Sequence, residues 1–229
     1  MAQKSRLDFY LTLLEDGLVP LFYTPDAATA KRVAAAAAAG GVRLLEFTHR
    51  GPGAHDVFKD LLAYCRAELP QLFVGVGSVL DAPTAAMYIA AGADFIVAPI
   101  FDEGTVRLCN RRKVAYIPGV GSATEISRAE EWGVEVVKVF PGAAVGGPDF
   151  VKSVLGPMPW SRMMPTGGVE ATEESIKKWF KAGVCAVGIG GNLVTKEVLA
   201  GDFAFLTEKV RDCLGWIREF RTAEAGGKS

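Results

Sequence analysis

Apolar and polar positions follow one pattern along the whole chain: short apolar runs rich in β-branched residues alternate with longer amphipathic or alanine-rich stretches. Short apolar runs of this kind are typical of buried strands, and the longer stretches are typical of helices. Eight strands are predicted, at residues 19–22, 44–48, 73–77, 95–98, 115–117, 136–140, 162–165 and 186–189. Eight alternating strand and helix units favour a parallel (β/α)8 TIM barrel over an open doubly wound sheet.

The segments between the strands predict helices at residues 26–40, 54–69, 82–91, 103–112, 124–132, 149–155 and 173–182, with one or two more in 195–221. Residues 5–16 predict an extra N-terminal helix that closes the bottom of the barrel. Six alanines at 34–39 predict a helix face packed against the barrel, which ends at the following glycines. Because no linker rich in serine, proline or charge interrupts the pattern, residues 1–229 are expected to form a single barrel domain.

Composition narrows the classes of function. The 229 residues are 50% hydrophobic and 22% charged, which is enough to bury a full core, and the net charge of -1 predicts no attraction to nucleic acid or to an anionic membrane. Four dispersed cysteines without a CxxC motif and only two histidines predict no metal site, in a reduced, cytoplasmic protein. Residues 1–6 and those that follow show neither a signal peptide nor a membrane span. A small-molecule partner is therefore expected.

A lysine in an apolar strand is the first candidate for chemistry. Lys138 lies within the run Val-Val-Lys-Val-Phe-Pro-Gly at 136–142. Such surroundings disfavour the charged amine, so its pKa should fall and it should become a nucleophile toward carbonyls. Alternatively, Lys138 ends the strand by extending to solvent or pairs with a carboxylate for structural reasons.

The second strand predicts two further site residues. Strand alternation places Glu46 on the opposite face from Leu45 and Phe47, so Glu46 points into the barrel if those two pack against helices. Arg50 follows at the mouth, where a guanidinium suits a substrate carboxylate. The structural alternatives are a salt bridge inside the barrel for Glu46 and a surface loop position for Arg50.

Glycines and a serine follow three other strands. Ser78 comes after Gly75-Val-Gly77 and offers a hydroxyl, although the G-x-G pattern alone is a weak nucleotide signal. Gly167–Gly168 follow strand seven and Gly190–Gly191 follow strand eight, where barrels of this type commonly bind phosphate through backbone N–H groups. The alternative is that these glycines only form tight turns.

Five motifs follow one another along the chain: Leu-Glu-Phe-Thr-His-Arg at 45–50, Gly-Val-Gly-Ser-Val at 75–79, Lys-Val-Phe-Pro at 138–141, Pro-Thr-Gly-Gly at 165–168 and Gly-Ile-Gly-Gly at 188–191. Taken in this order, they are similar to the motifs of the 2-keto-3-deoxy-6-phosphogluconate (KDPG) aldolase family. The resemblance covers roughly residues 19–194 and also takes in 4-hydroxy-2-oxoglutarate aldolases. It implies a class I aldolase without metal or other cofactor, on a (β/α)8 barrel, assembled as a homotrimer.

The same resemblance implies roles for individual residues. Lys138 would form the imine with pyruvate and Glu46 would transfer protons, while Arg50 and Ser78 would hold the pyruvate carboxylate. The resemblance also implies further contacts with the substrate, in the two glycine loops and at two other motif positions. These residues are Pro141, Thr166, Gly167, Gly168, Gly190 and Gly191.

Some positions depart from the family pattern. Serine stands at 78 where threonine is common, which keeps the hydroxyl. Gly191 stands where serine is frequent, so one hydroxyl contact to phosphate is missing and Asn192 or backbone amides would have to replace it. The segment at 98–102 replaces a common Ser-Pro-Gly pattern, and His49 with the loop at 51–53 alters the mouth beside Arg50.

The expected reaction is cleavage of a 2-keto-3-deoxy sugar acid such as KDPG to pyruvate and glyceraldehyde 3-phosphate. An unphosphorylated 2-keto acid such as 4-hydroxy-2-oxoglutarate is the alternative substrate. Two other classes of protein stay open on the residues alone. A phosphosugar isomerase or phosphate-dependent synthase would use the glycine loops without needing the buried lysine, and a non-catalytic metabolite-binding protein with an aldolase-like scaffold would bind without cleaving.

Overall fold

The computed structural model describes residues 4–226, in which strands and helices alternate. The strands are β1 (Leu18–Phe22), β2 (Leu44–Thr48), β3 (Phe73–Gly77), β4 (Phe95–Val97), β5 (Ala115–Ile117), β6 (Gly119–Val120), β7 (Val137–Val139), β8 (Met163–Pro165) and β9 (Val187–Ile189). The helices are α1 (Arg6–Asp16), α2 (Ala27–Ala39), α3 (Ala54–Glu68), α4 (Ala82–Ala91), α5 (Glu103–Arg112), α6 (Ala123–Glu131), α7 (Gly147–Leu155), α8 (Glu173–Lys181), α9 (Lys196–Ala200) and α10 (Phe203–Gly226). All eight predicted strands and the predicted helices are present, with ends shifted by a few residues at most.

The strands form a curled parallel sheet of six members in the order β5-β4-β3-β2-β1-β9, together with a three-stranded parallel sheet β6-β7-β8. A single parallel bridge between Thr166 and Gly188 links the end of β8 to β9. Since every pairing is parallel, the carboxyl ends of the strands lie along one edge, where the sequence places its candidate site.

Side chains of the strands pack on two sides, as strand alternation requires. One face of β2 carries Leu45 and Phe47, which join the large cluster between the sheet and the helices. Leu44 belongs to a separate, smaller cluster on the concave face of the sheet, with Phe73, Phe95 and other strand residues. Glu46, two residues after Leu44, therefore points to the concave side, as predicted.

Helix α1 closes the concave side at the amino ends of the strands. Its Phe9 and Leu13 are fully buried in the smaller cluster, and the Phe9 ring stacks on Phe95 with centroids 4.5 Å apart. Ser5 caps the start of the helix, with its side chain accepting a hydrogen bond from the Leu7 N–H, and Gly17 in the left-handed conformation caps its end. The predicted N-terminal helix and its position are thus confirmed.

One strand was not predicted. The two-residue strand β6 lies one residue beyond β5, after Pro118, and pairs with β7 through Gly119 and Lys138. A Cβ atom on Gly119 would lie 2.1 Å from the Pro99 carbonyl oxygen, so only glycine allows the two backbones to approach this closely. A run of two residues is too short to produce a periodic pattern, which explains why it was missed.

Candidate active site

The predicted lysine and glutamate meet inside the curled sheet. Lys138 Nζ lies 3.9 Å from Glu46 Oε1, and both side chains are almost completely buried. The distance is within ion-pair range but too long for a hydrogen bond, and within the described residues neither Glu46 oxygen has a hydrogen-bond partner. A buried carboxylate beside a buried amine, both without full pairing, is an unusual arrangement for a purely structural ion pair.

The position of the Glu46 carboxylate depends on a glycine of the neighbouring strand. A Cβ atom on Gly77 would lie 1.7 Å from Glu46 Oε1, so any other residue at 77 would occupy the space that the carboxylate fills. Burial raises the pKa of Glu46, while the positive charges of Lys138 and Arg50 lower it; burial dominates, so the pKa of Glu46 lies above its ordinary value. Glu46 is therefore suited to exchange protons with a ligand.

Arg50 and Ser78 come together at the carboxyl ends of β2 and β3. Arg50 Nε donates to Ser78 Oγ at 3.2 Å, and the Arg50 residue is exposed. Ser78 has a φ of 61°, a left-handed conformation that costs a non-glycine residue free energy and is often found at functional sites. The positive charge of Arg50 also acts on Glu46, so Arg50 lies near the buried pair.

The loops after β7 and β8 are joined by backbone hydrogen bonds. The Gly142 N–H donates to the Thr166 carbonyl, and the Ala143 N–H donates to the Gly167 carbonyl, both at 2.9 Å. Thr166 itself is buried, and its Oγ1 has no hydrogen-bond partner among residues 4–226. This places a buried hydroxyl at the end of β8, next to the loop that follows the lysine strand.

Of the four glycines expected to bind phosphate, three are exposed and Gly190 is partly exposed. Gly167 and Gly168 have φ values of 87° and 82°, which orient their amides in a way that other residues rarely allow. Asn192, expected to replace the missing serine hydroxyl, instead donates from Nδ2 to the Val169 carbonyl at 3.2 Å and thereby joins the β9 loop to the β8 loop.

The phenylalanine expected beside Lys138 is in place, whereas one feature near the site was missed in the sequence. Lys138 Nζ lies 5.2 Å from the centre of the Phe140 ring, and Phe140 also lines a cavity of about 360 Å³ beside the loops after β4 and β6. This contact agrees with the apolar surroundings that the sequence predicts for Lys138. Pro141, which follows Phe140 through a cis peptide bond, is exposed at the start of the next loop. The missed feature is the hydrogen bond between His49 Nδ1 and the hydroxyl of Tyr88. Tyr88 lies on α4, which is distant from His49 in sequence.

Among residues 4–226, neither a metal-binding cluster nor a membrane helix is found. In the part of the chain that the structure describes, no three His, Cys, Asp or Glu side chains are grouped so that they could hold a metal ion. Between residues 4 and 226, no helix is both long enough and apolar enough to cross a membrane.

Comparison with known proteins identifies the family. A family model described as KDPG and KHG aldolase matches residues 11–208, most of the chain. The chain belongs to this aldolase family. It is therefore a carbon–carbon lyase, which agrees with a lysine and a glutamate buried together at the carboxyl ends of the strands.

Curated relatives in the family share about a third of their residues with this chain. A 2-dehydro-3-deoxy-phosphogluconate aldolase of Treponema pallidum is 35% identical over 168 residues, 73% of this chain and 78% of the relative. A KHG/KDPG aldolase of Escherichia coli strain K12 is 31% identical over 86% of this chain and 90% of its own length. The similarity thus extends over most of each relative.

Solved structures of KDPG aldolases share the fold of this chain. A KDPG aldolase from Legionella pneumophila, with pyruvate captured at low pH as a covalent carbinolamine intermediate, superposes with a TM-score of 0.79 at 26% identity, covering 87% of this chain and 95% of the other. The KDPG aldolase of Zymomonas mobilis ZM4 with 3-phosphoglycerate also gives a TM-score of 0.79, at 29% identity, covering 93% and 97%. A thiamine phosphate pyrophosphorylase from Pyrococcus furiosus, 17% identical with a TM-score of 0.66, shares the fold alone.

Proposed function

We propose that this aldolase cleaves KDPG to pyruvate and glyceraldehyde 3-phosphate through a Schiff base on Lys138. The observation that carries the proposal is the buried amine of Lys138 at 3.9 Å from the carboxylate of Glu46. An amine held among apolar groups can attack a carbonyl, and a carboxylate at this distance can serve the proton transfers that imine chemistry needs. The covalent carbinolamine of the Legionella relative supports the same chemistry here.

The reaction follows from these two groups. The Lys138 amine, in its unprotonated form, adds to the C2 carbonyl of the keto acid. The carbinolamine then takes up one proton from solvent and loses water, which leaves a protonated imine; hydrolysis later returns that proton. Glu46 takes the proton of the C4 hydroxyl, the C3–C4 bond breaks, and its electron pair moves into the enamine as the aldehyde departs. Protonation of the enamine at C3 and hydrolysis of the imine release pyruvate and restore the amine. The protonated imine is the electron sink, so no cofactor takes part.

Arg50 and Ser78 hold the carboxylate of the keto acid in this proposal. The Arg50 guanidinium is joined to the Ser78 hydroxyl at 3.2 Å, so the two donors converge on one position near Glu46. A guanidinium and a hydroxyl form charge-assisted hydrogen bonds to a carboxylate. Thr166, whose buried hydroxyl has no partner among the described residues, and Pro141, at the start of the loop after β7, complete the pyruvate end of the site.

The phosphate of KDPG binds at the glycine loops after β8 and β9. Gly167, Gly168 and Gly191 are exposed there and Gly190 is partly exposed, so a phosphate can approach their backbone amides. The 3-phosphoglycerate in the Zymomonas relative is consistent with a phosphorylated ligand in this family. The second candidate substrate is 4-hydroxy-2-oxoglutarate, favoured by the absence of a side-chain hydroxyl at Gly191 and by the Asn192 amide being bonded to Val169.

We also infer that residues 1–229 form one domain with a closed (β/α)8 barrel. The bridge between Thr166 and Gly188 joins the two sheets at β8 and β9, and Pro118 alone separates β5 from β6, so the strands follow one another around a ring. The family resemblance extends the proposal to a homotrimer. The cysteines, which are free in the structure, suit a reducing cytoplasmic location.

Trapping of the imine tests this function. Incubation with pyruvate and borohydride should add a stable adduct to the peptide that contains Lys138, and Lys138→Ala should abolish both the adduct and turnover of KDPG. Lys152→Ala is the matched control, because Lys152 is an exposed lysine of α7 paired with Asp149, so that variant should retain adduct and turnover.

Other results would change the assignment. A full adduct on another lysine would move the nucleophile away from Lys138. Loss of wild-type activity in chelator, restored by a divalent ion, would indicate a class II mechanism. Ligand binding by a wild-type protein that cleaves neither KDPG nor 4-hydroxy-2-oxoglutarate would support the non-catalytic alternative.

A further inference from the structure

His49 has a structural environment that the aldolase reaction does not explain. It directly follows β2, and strand alternation continues through it the side that carries Leu45 and Phe47, while the adjacent Arg50 is exposed. Its Nδ1 forms a 2.8 Å hydrogen bond with the hydroxyl of Tyr88, a fully buried residue of α4. Its backbone N–H donates at 2.8 Å to the carbonyl of Gly77 on β3.

The bond to Tyr88 is well supported. Within residues 4–226, His49 is the one side chain that hydrogen-bonds the Tyr88 hydroxyl. Burial raises the pKa of Tyr88 to about 12, so the hydroxyl keeps its proton at neutral pH and can donate it. The rings also meet edge to face, with centroids 5.5 Å apart. His49 is thus fixed on one side to β3 and on the other to α4.

The position of the Arg50 side chain depends on the backbone that precedes it. Arg50 is exposed and has a long side chain with many rotamers, and the sequence Gly-Pro-Gly at 51–53 follows it directly. Its one side-chain hydrogen bond in the described part of the chain is the 3.2 Å bond from Nε to Ser78 Oγ. The backbone that leads into Arg50 is therefore held in place at His49.

We propose that His49 and Tyr88 form a positioning pair for Arg50, which keeps its guanidinium oriented toward Ser78 and the carboxylate of the keto acid. The pair contacts neither the substrate nor the reacting atoms, and it acts by removing alternative positions of the β2 loop. The inference rests on the proposed role of Arg50 in binding that carboxylate. It predicts an effect on substrate affinity rather than on the chemical step.

Four variants test the pair. His49→Phe and Tyr88→Phe each keep an aromatic ring but remove one side of the hydrogen bond, and the double variant removes both. Each of the three should raise the KM for KDPG, and the pyruvate concentration for half-maximal borohydride trapping, by about fivefold to tenfold, with kcat within about twofold of wild type. His49→Asn places a polar atom near the position of Nδ1, so it should restore most of the affinity.

The double variant separates positioning from stability. A single variant leaves a buried polar group without its partner and should lower Tm, whereas the double variant should regain stability because both groups are apolar. The KM should nevertheless stay raised in the double variant, by no more than in either single variant, because the two residues act through one bond. If the effects of the single variants on KM add up in the double variant, or if KM returns to the wild-type value together with Tm, the positioning role is wrong.

Two further variants make the result specific. His55 meets the same tyrosine ring edge to face, at 5.3 Å between centroids, but does not hydrogen-bond its hydroxyl, so His55→Phe should leave KM unchanged. Arg50→Ala should raise KM more than any variant of the pair. If Arg50→Ala raises KM and the His49 and Tyr88 variants do not, the positioning pair fails and the proposed function stands. If Arg50→Ala also leaves KM unchanged, the proposed role of Arg50 fails first.

Discussion

At the scale of single residues, Glu46 combines complete burial with the absence of a hydrogen-bond partner among the described residues. Such a carboxylate holds its proton more firmly than an exposed one, and the positive charges of Lys138 and Arg50 oppose this effect only in part. In the proposed mechanism, the site therefore pairs the nucleophile with an acid/base group whose affinity for protons is raised by its surroundings. This is the division of roles that imine chemistry requires.

A pH profile tests the role of Glu46. If its carboxylate is the general base, kcat/KM should fall as the pH decreases through the raised pKa of the free enzyme, so the acidic limb should lie above the range of an ordinary glutamate. Glu46→Gln should lower kcat by roughly a hundredfold or more and remove that limb, with pyruvate binding little changed. Normal turnover in Glu46→Gln would require another acid/base group.

A second residue-scale prediction concerns phosphate binding. A Cβ atom on Gly191 would meet nothing within 4 Å, whereas one on Gly168 would lie 2.2 Å from the Ala143 Cβ. Gly191→Ser is thus a clean substitution that adds the missing hydroxyl. It should lower the KM for KDPG severalfold and leave the KM for 4-hydroxy-2-oxoglutarate unchanged, as measured by steady-state kinetics on both substrates. An unchanged KM for KDPG would favour the unphosphorylated substrate.

At the scale of elements, α1 contributes to packing and not to the candidate site. Its Phe9 packs at the amino ends of the strands against Phe73 and Phe95, opposite the edge that carries Lys138 and Glu46. Packing at the amino ends of the strands therefore stabilises the fold, and the carboxyl ends carry the candidate site, as is usual for folds of this type.

Truncation of Phe9 measures the contribution of this helix. Phe9→Ala should lower the free energy of unfolding by about 3–5 kcal/mol, because it leaves a cavity in a fully buried cluster. Leu7→Ala, on the same helix but 70% exposed, should change stability by no more than about 0.5 kcal/mol. Denaturant unfolding of both variants checks the difference, and similar effects of the two would contradict this packing.

Prediction of the elements from sequence succeeded where a local signal marks the ends. Helix α4 occupies the predicted residues because Asp81 caps its first turn and Gly92 ends it. Strand β2 also matches, because its short, mainly apolar run lies between the glycines at 40–41 and the Gly-Pro-Gly sequence at 51–53. The short strand β6 was not predicted, since its pairing with β7 depends on the close approach of the Pro99 loop and not on its own two residues.

At the scale of the whole molecule, the proposed homotrimer has a direct measurement. Three chains of 24.4 kDa give about 73 kDa, so light scattering coupled to size exclusion should report that mass over a range of protein concentrations. Large apolar side chains such as Leu80, Met87 and Ile100 are exposed in the single chain, which is consistent with association. A mass of one or two chains would contradict the trimer.

The sequence by itself determined the order of the elements and the types of residue at the site. Apolar periodicity is a local property, and a lysine or a glutamate within an apolar strand is visible without any knowledge of its neighbours. Lys138, Glu46, Arg50 and the glycine pairs could thus be proposed from their motifs and their positions at strand ends.

Only the tertiary structure decided which of these residues meet. The contact of Lys138 with Glu46 joins residues 92 positions apart, and the fit of the carboxylate depends on a missing Cβ at Gly77 on a third strand. The bond of His49 to Tyr88 likewise joins a strand to a helix that packs beside it. Such distances depend on how sheets curl and helices pack, and on the absence of single atoms, which no local pattern of apolar and polar residues records.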